Sequence, residues 1–250
     1  MWEPLEMRRL HQSVRVIFDA LALASMFLAT TAWAGQSATS IAEAGMPANC
    51  ADYAAAVSKS EGNFNSTSPT VNGVTCYGAF QFCSAKGSVT GGTFSQYYSG
   101  TPQQFESDPS AQVAAWTQYE QNNWNQASKN GLTSAVGQQV CYGGQCATLT
   151  QSSILKACQF GCASNGKLAN FVNSDFNCNA PGTRDGNGTS VCSYLISGSG
   201  YDVSCFTAQT ADGGACMVGG GDLATSTTTT PTGNIPAVSS SDMIVPVGTV

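Results

Sequence analysis

A chain of 250 residues with 10% charged side chains, a net charge of −6 and one histidine excludes several function classes. Its nine Lys and Arg residues do not outnumber the fifteen acids and do not cluster, so the basic stripe that follows a phosphate backbone is missing and nucleic acid is not an expected partner. The one imidazole, His11, lies in a segment read as removed, which takes Ser-His-Asp, Cys-His and histidine-ligated zinc catalysis out of reach.

Residues 1–34 read as an export signal. Arg8, Arg9 and Arg15 precede an apolar stretch from Val16 to Trp33, and Ala32-Trp33-Ala34 before Gly35 suits signal cleavage. A retained anchor is the alternative, against which Asp19 inside the stretch argues. Cleavage removes three arginines and three acids (Glu3, Glu6 and Asp19) and leaves the balance at −6, with no membrane span remaining. The expected compartment is periplasmic or secreted. All eleven cysteines lie beyond the signal, which reads as a disulfide-stapled exported domain. The sequence neighbours Cys76 and Cys83, Cys141 and Cys146, and Cys178 and Cys192 are candidates for local pairing. A zinc site on Cys141, Cys146, Cys158 and Cys162 is the competing reading, and the balance falls on no metal and no cofactor.

Residues 35–48 are small and polar and read as a loose leader. Asn49 is a candidate cap for a helix from Cys50 to Ser60 that ends at Glu61-Gly62. Residues 63–76 read as loop or short hairpin, and a short helix is expected from Ala79 to Ala85. Asp108-Pro109 starts a long helix, a capping acid followed by proline at the first helical position, which runs to Lys129 and stops at Asn130-Gly131. Val113, Trp116, Glu120, Trp124 and Ala127 recur at helical spacing, and the tryptophans read as core.

Cys141 to Cys146 reads as the tight turn of a small hairpin. Ser152 or Ser153 is a candidate cap for a helix that turns Ile154, Leu155 and Cys158 inward, and Lys167 to Asn173 resumes helix after a break at 164–166. Residues 178–205 read as loop-rich. Beyond Cys216 the Gly, Ser, Thr and Pro content reads as a disordered tail. The expected organisation is signal 1–34, leader 35–48, folded domain 49–216 and tail 217–250, the domain being mainly α with α+β character.

Without imidazole, carboxylate chemistry remains, and glycoside cleavage runs on Asp and Glu alone. Glu61 has Phe64, Tyr77, Phe80 and Phe82 near it in sequence, an apolar setting that favours a protonated acid. Glu106 and Glu120 sit in or near a helix that reads as scaffold.

The order Glu61, Phe64-Asn65 and Gly78-Ala79-Phe80-Gln81 resembles the lytic transglycosylase and goose-type lysozyme superfamily. Asp108-Pro109 at a helix start, the segment Ser153 to Gly161, and Asp185-Gly186-Asn187-Gly188-Thr189-Ser190 followed by Tyr194 resemble later stretches of the same superfamily. The resemblance spans about residues 50–195 and implies a lysozyme-like domain that cleaves peptidoglycan glycan strands. Glu61 would be the single catalytic acid. Gln81, Tyr77, Phe80, Gln159 and Tyr194 would bind substrate. Asp108 and Asp185 are candidates for a second carboxylate, with helix cap and loop turn as their competing roles. Gly62 stands where the family usually has serine, and Ala157-Cys158-Gln159-Phe160-Gly161 replaces the usual late-helix signature. These departures motivate a second reading, a glycan-binding or envelope-assembly module without catalysis. An envelope-spanning secretion assembly is a candidate partner beside peptidoglycan itself.

Overall fold

The computed structural model describes residues 35–208 of the chain. The expected signal and tail lie outside them. Within the described residues the protein is mostly helical with two small antiparallel hairpins and five disulfides. None of these helices is long and apolar enough to cross a membrane.

The expected leader belongs to the domain. Residues Ala38–Glu43 form helix α1, capped by Ser37, whose hydroxyl accepts from Ser40 N. Ile41 and Met46 are buried, so apolar contact fixes a segment that its small polar neighbours make look loose. Helix α2 runs over Ala48–Glu61 from Pro47 rather than from Asn49. Asn49 instead donates to Ser204 Oγ, tying α2 to the end of the described chain. Cys50 and Cys205 reinforce that tie across 155 residues, with their Cα atoms 6.4 Å apart. In the chain-entropy view a bridge closing a loop of this size stabilises the fold by about 5 kcal/mol.

The expected helix over Ala79 to Ala85 is a hairpin. Strands β1 (Cys76–Tyr77) and β2 (Phe82–Cys83) pair with Cys76 opposite Cys83, and the two cysteines are bridged. The turn between them holds Gly78 at φ 78° and Gln81 at φ 49°. Short helices α3 (Gly92–Tyr97) and α4 (Pro102–Glu106) lead to α5 (Pro109–Lys129). Asp108 caps α5 by accepting from Ala111 N at 3.0 Å, and Gly131 at φ 72° follows its end, as the sequence predicts.

Strands β3 (Gln139–Tyr142) and β4 (Gln145–Thr148) form the second hairpin, closed by Cys141–Cys146. Helix α6 (Gln151–Cys158) is capped by Thr150 in a capping box with Ser153. Helices α7 (Lys167–Asn173), α8 (Val191–Ser197) and α9 (Ser204–Thr207) complete the domain, and the last two bring order to the segment read as loop-rich. The cysteines considered for zinc are instead paired as Cys141–Cys146 and Cys158–Cys162, and Cys178 pairs with Cys192.

Two apolar clusters organise these elements. One gathers α1, α2, the first hairpin, α3, α4 and the start of α5 around Tyr53, Phe80, Phe105 and Trp116. The other lies between the end of α5, the second hairpin, α6, α7 and α8 around Leu149, Ile154, Leu168 and Leu195. Trp124 touches both, so α5 is their shared wall.

Gln112 on α5 locks the first cluster. It is fully buried, accepts from Ala79 N at 2.9 Å, and donates to the carbonyls of Phe64 and Phe105, each at 2.8 Å. One side chain thus satisfies three backbone groups from the loop after α2, the hairpin turn and α4. Gly78 permits the close approach, because a Cβ there would collide with Gln112 Oε1. Replacing Gln112 by Leu would leave the Phe64 carbonyl and the Ala79 N–H without this partner, while the Phe105 carbonyl keeps Asp108 N at 3.2 Å. We expect Gln112→Leu to lower stability by about 3 kcal/mol, while Gln103→Leu on the exposed side of α4 changes it little. Chemical denaturation of both variants checks this; equal effects would refute the clamp.

Candidate active site

Glu61 is the last residue of α2, and Gly62 caps the helix end with its N–H on Ser58 O at 2.8 Å. Its side chain is half-buried, so the carboxyl is desolvated yet reachable. Gly62 is explained by its surroundings. A Cβ at this position would lie 2.8 Å from Ser66 Oγ, and Ser66 Oγ accepts from Asn63 N at 2.8 Å.

The hairpin turn abuts this helix end. Gln81 is buried, and its Nε2 donates to Gly78 O at 2.8 Å. The same nitrogen lies 3.4 Å from where a Cβ on Gly62 would sit, so Gln81 stands beside the residue that follows the candidate acid. Tyr194 of α8 is half-buried, packs edge-on against Phe160 at 4.1 Å, and is close enough to Glu61 to feel its charge. Gln159 ends α6 half-exposed, three residues beyond Lys156.

Two expected sugar-stacking residues are placed elsewhere. Tyr77 is buried against Phe94 at 5.2 Å, and Phe80 is buried and stacked on Trp116 at 4.5 Å. Both rings are core, with no face open to a ligand. Asp108 is occupied as the α5 cap, and Asp185 Oδ1 accepts from Asn187 N and Thr189 N at 2.9 and 2.7 Å as a loop turn.

Two further charged residues bear on the site: Lys156, which the sequence did not single out, and Glu120, which it read as scaffold. Lys156 on α6 reaches Ser60 Oγ at 3.4 Å, beside Glu61, with its ammonium 5.9 Å from the Tyr194 ring centre. Glu120 on α5 is fully buried, with the polar side chains of Asn123 and Tyr53 bearing on its carboxyl. The sequence signal for Glu120 was its place in an otherwise apolar helical stripe, where a carboxylate is costly. The signal for Lys156 was weaker, one cation beside the inward Leu155.

Burial shapes the titration of all three. It raises Glu61, and the nearby Lys156 charge and Ser60 hydroxyl only partly oppose it. It raises Glu120 to about 8, opposed by Asn123, Lys156 and Tyr53. It lowers Lys156, opposed by the charges of Glu61 and Glu120. A half-buried carboxyl kept protonated toward neutral pH beside a cation can donate a proton and then be stabilised as the anion.

Between its ordinary value of 4.5 and about 8, Glu120 holds in the folded state a proton that the unfolded chain releases. Stability therefore falls as pH rises through this window, and Glu61 contributes in the same direction. Lys156, lowered from 10.5, acts in the opposite sense on the alkaline side. We expect the melting temperature to fall between about pH 5 and about pH 8, and to fall less steeply in Glu120→Gln. Equal slopes in thermal scans of the two proteins would refute this role for Glu120. Comparison with protein-family models, curated proteins and solved structures finds no match for this chain.

Proposed function

We propose that this protein is an exported enzyme that cleaves the glycan strands of peptidoglycan, a lytic transglycosylase of lysozyme-like fold with Glu61 as its one acid–base group. The observation that carries the reading is a half-buried glutamate at a helix end, raised by burial and flanked by the Gly78–Gln81 turn. Five disulfides suit an oxidising periplasmic or extracellular compartment.

In this reaction protonated Glu61 donates to the oxygen linking N-acetylmuramic acid to N-acetylglucosamine. The substrate's acetamido group supports the positive charge that builds on the sugar ring. The Glu61 carboxylate then takes the proton of the muramoyl 6-hydroxyl, whose oxygen closes a 1,6-anhydro ring. One carboxyl serves both steps because the nucleophile is internal to the sugar. The engagement of Asp108 and Asp185 in backbone hydrogen bonds favours this route over water activation by a second carboxylate. Gln81 is placed to orient Glu61 or meet an acetamido group, and Tyr194 offers the half-exposed ring for a sugar face.

A second reading, glycan binding without turnover, is favoured by one observation: the Lys156 charge next to Glu61 stabilises its anionic form. Zymography on peptidoglycan separates the two. Wild-type protein is expected to clear the gel, with mass spectrometry finding anhydro-muramoyl ends, and Glu61→Gln to lose at least about 100-fold in activity. Reducing ends would replace transglycosylation by hydrolysis. No clearing by the wild type would favour the binding module.

A further inference from the structure

Beyond residue 34 the cations of the chain are Lys59, Lys86, Lys129, Lys156, Lys167 and Arg184, and two of them flank one aromatic pair. Phe160 and Tyr194 meet edge to face with ring centres 4.1 Å apart. The Lys156 ammonium lies 5.9 Å from the Tyr194 centre, and the Lys167 ammonium lies 5.7 Å from the Phe160 centre. The negative face of each ring attracts the ammonium over it, which holds the end of a long side chain in place. Lys156 also reaches Ser60 Oγ at 3.4 Å, and Ser60 directly precedes Glu61. The group is thereby tied to the helix end that carries the candidate acid.

Local sequence builds this arrangement. Cys158 and Cys162 are bridged and close the turn that carries Phe160, with Gly161 N donating to Cys158 O at 2.7 Å. Gly166 caps α7 so near this turn that a Cβ on it would lie 3.0 Å from Gly161 O. Lys167, the first residue of α7, is therefore held against the turn. On the other side, a Cβ on Gly198 would lie 2.5 Å from Lys156 Cβ, so the glycine that ends α8 lets the helix of Tyr194 approach α6. Lys156, Lys167 and Tyr194 are all half-buried, so the group reaches solvent. Among the described residues Ser60 is the polar partner of the Lys156 ammonium, and the Lys167 ammonium has none. An ammonium carries three donors, so most of them remain for a ligand. Apart from Glu61, the acid that bears on Tyr194 is Asp185, whose Oδ1 is engaged by Asn187 N and Thr189 N.

We propose that Lys156 and Lys167, seated on the Phe160–Tyr194 pair, form a subsite for a carboxylate borne by the muramoyl residue, so that the protein selects acidic glycan over neutral glycan. The inference deepens the glycan-cleavage reading and rests on it for the identity of the substrate. The chemistry of that sugar supplies the fit. Glu61 would act at C1 of N-acetylmuramic acid, and the same ring bears on O3 a lactyl arm that ends in a carboxylate or continues into an acidic peptide. A cation beside the acid is therefore on the side where this arm can be met. Lysine suits the task, because a point charge on a flexible stem follows a carboxylate on a mobile arm without the planar two-point match that arginine offers. Seating the cations on rings rather than in ion pairs leaves their charge available to a ligand. A glycan of N-acetylglucosamine alone has no group for them.

The test measures binding by titration calorimetry to the full chain carrying Glu61→Gln, which holds substrate without turnover. The probes are chitotetraose, a tetrasaccharide of alternating N-acetylglucosamine and N-acetylmuramic acid with free lactyl carboxylates, and the same tetrasaccharide bearing its stem peptides. At least one acidic probe is expected to bind about tenfold tighter than chitotetraose, with the gap narrowing as salt rises. Adding Lys156→Met or Lys167→Met is expected to cut the preference to about threefold or less, and Lys156→Arg or Lys167→Arg to keep it. Lys86→Met, an equal loss of charge in the exposed loop after β2, is expected to leave it unchanged. A preference for the stripped tetrasaccharide assigns the lactyl carboxylate, and one confined to the peptide-bearing probe assigns the stem carboxylates; both support the subsite. No preference for either acidic probe, no binding of any probe, or a preference unchanged in both Lys→Met proteins would overturn it. Should Lys156→Met fail to fold by circular dichroism, Lys167→Met decides alone. Zymography with Glu61 intact keeps the two readings apart. Clearing without a charge preference would sink the subsite alone; a preference that follows the lysines without clearing would keep the subsite and sink glycan cleavage.

Discussion

The site depends on the amide of Gln112. A glutamate at a helix end is useful only if the loop after it returns to the same place, and the backbone from Gly62 to Tyr77 carries little apolar mass to hold itself. Gln112 meets this need from α5, taking the Phe64 carbonyl with one hydrogen and the Ala79 N–H with its oxygen. Because α5 is rigid, capped at Asp108 and walled by both apolar clusters, the position of Glu61 against the hairpin turn is inherited from the core. The glycine at position 78 belongs to the same device, since it gives the amide its space.

Electrostatics adds a second layer. The domain carries few charges, and the Lys156 charge bears on both Glu61 and Glu120. Burial pushes both carboxyls toward their neutral forms and the lysine likewise, so mutual attraction holds against desolvation. Such a balance is poor for stability and suited to proton transfer, because small changes in occupancy move the proton.

Local chemistry made much of the fold readable. The Asp108-Pro109 start and Asn130-Gly131 stop of α5, the end of α2 at Glu61, and the disulfides of Cys76, Cys141 and Cys178 with their sequence neighbours all follow from caps, glycine and short spacing. What escaped depends on distant partners. Residues 38–43 are polar by composition, and only the burial of Ile41 makes them a helix of the core. Residues 79–85 have helical content, yet Gly78 and Gln81 adopt positive φ and the bridge from Cys76 to Cys83 enforces a hairpin. At the site, Glu61 and Gln81 were visible as a pattern, and Gln81 lies beside Gly62, the residue after Glu61. Tyr77 and Phe80 were candidates for sugar stacking with the core as their competing place, and both rings lie in the core. The influence of Lys156 on Glu120 could not be read from sequence, because α5 and α6 meet only in the folded chain.

The bridge from Cys50 to Cys205 has a mechanical consequence. It joins the first long helix to the last short one, with the Gln112 clamp, Glu61 and both hairpins lying between its two ends. Tension applied at the flanks of the domain therefore passes through a covalent link and bypasses the aromatic packing. Pulling would peel α1 and the residues after Cys205, while the loop that carries the acid stays unloaded.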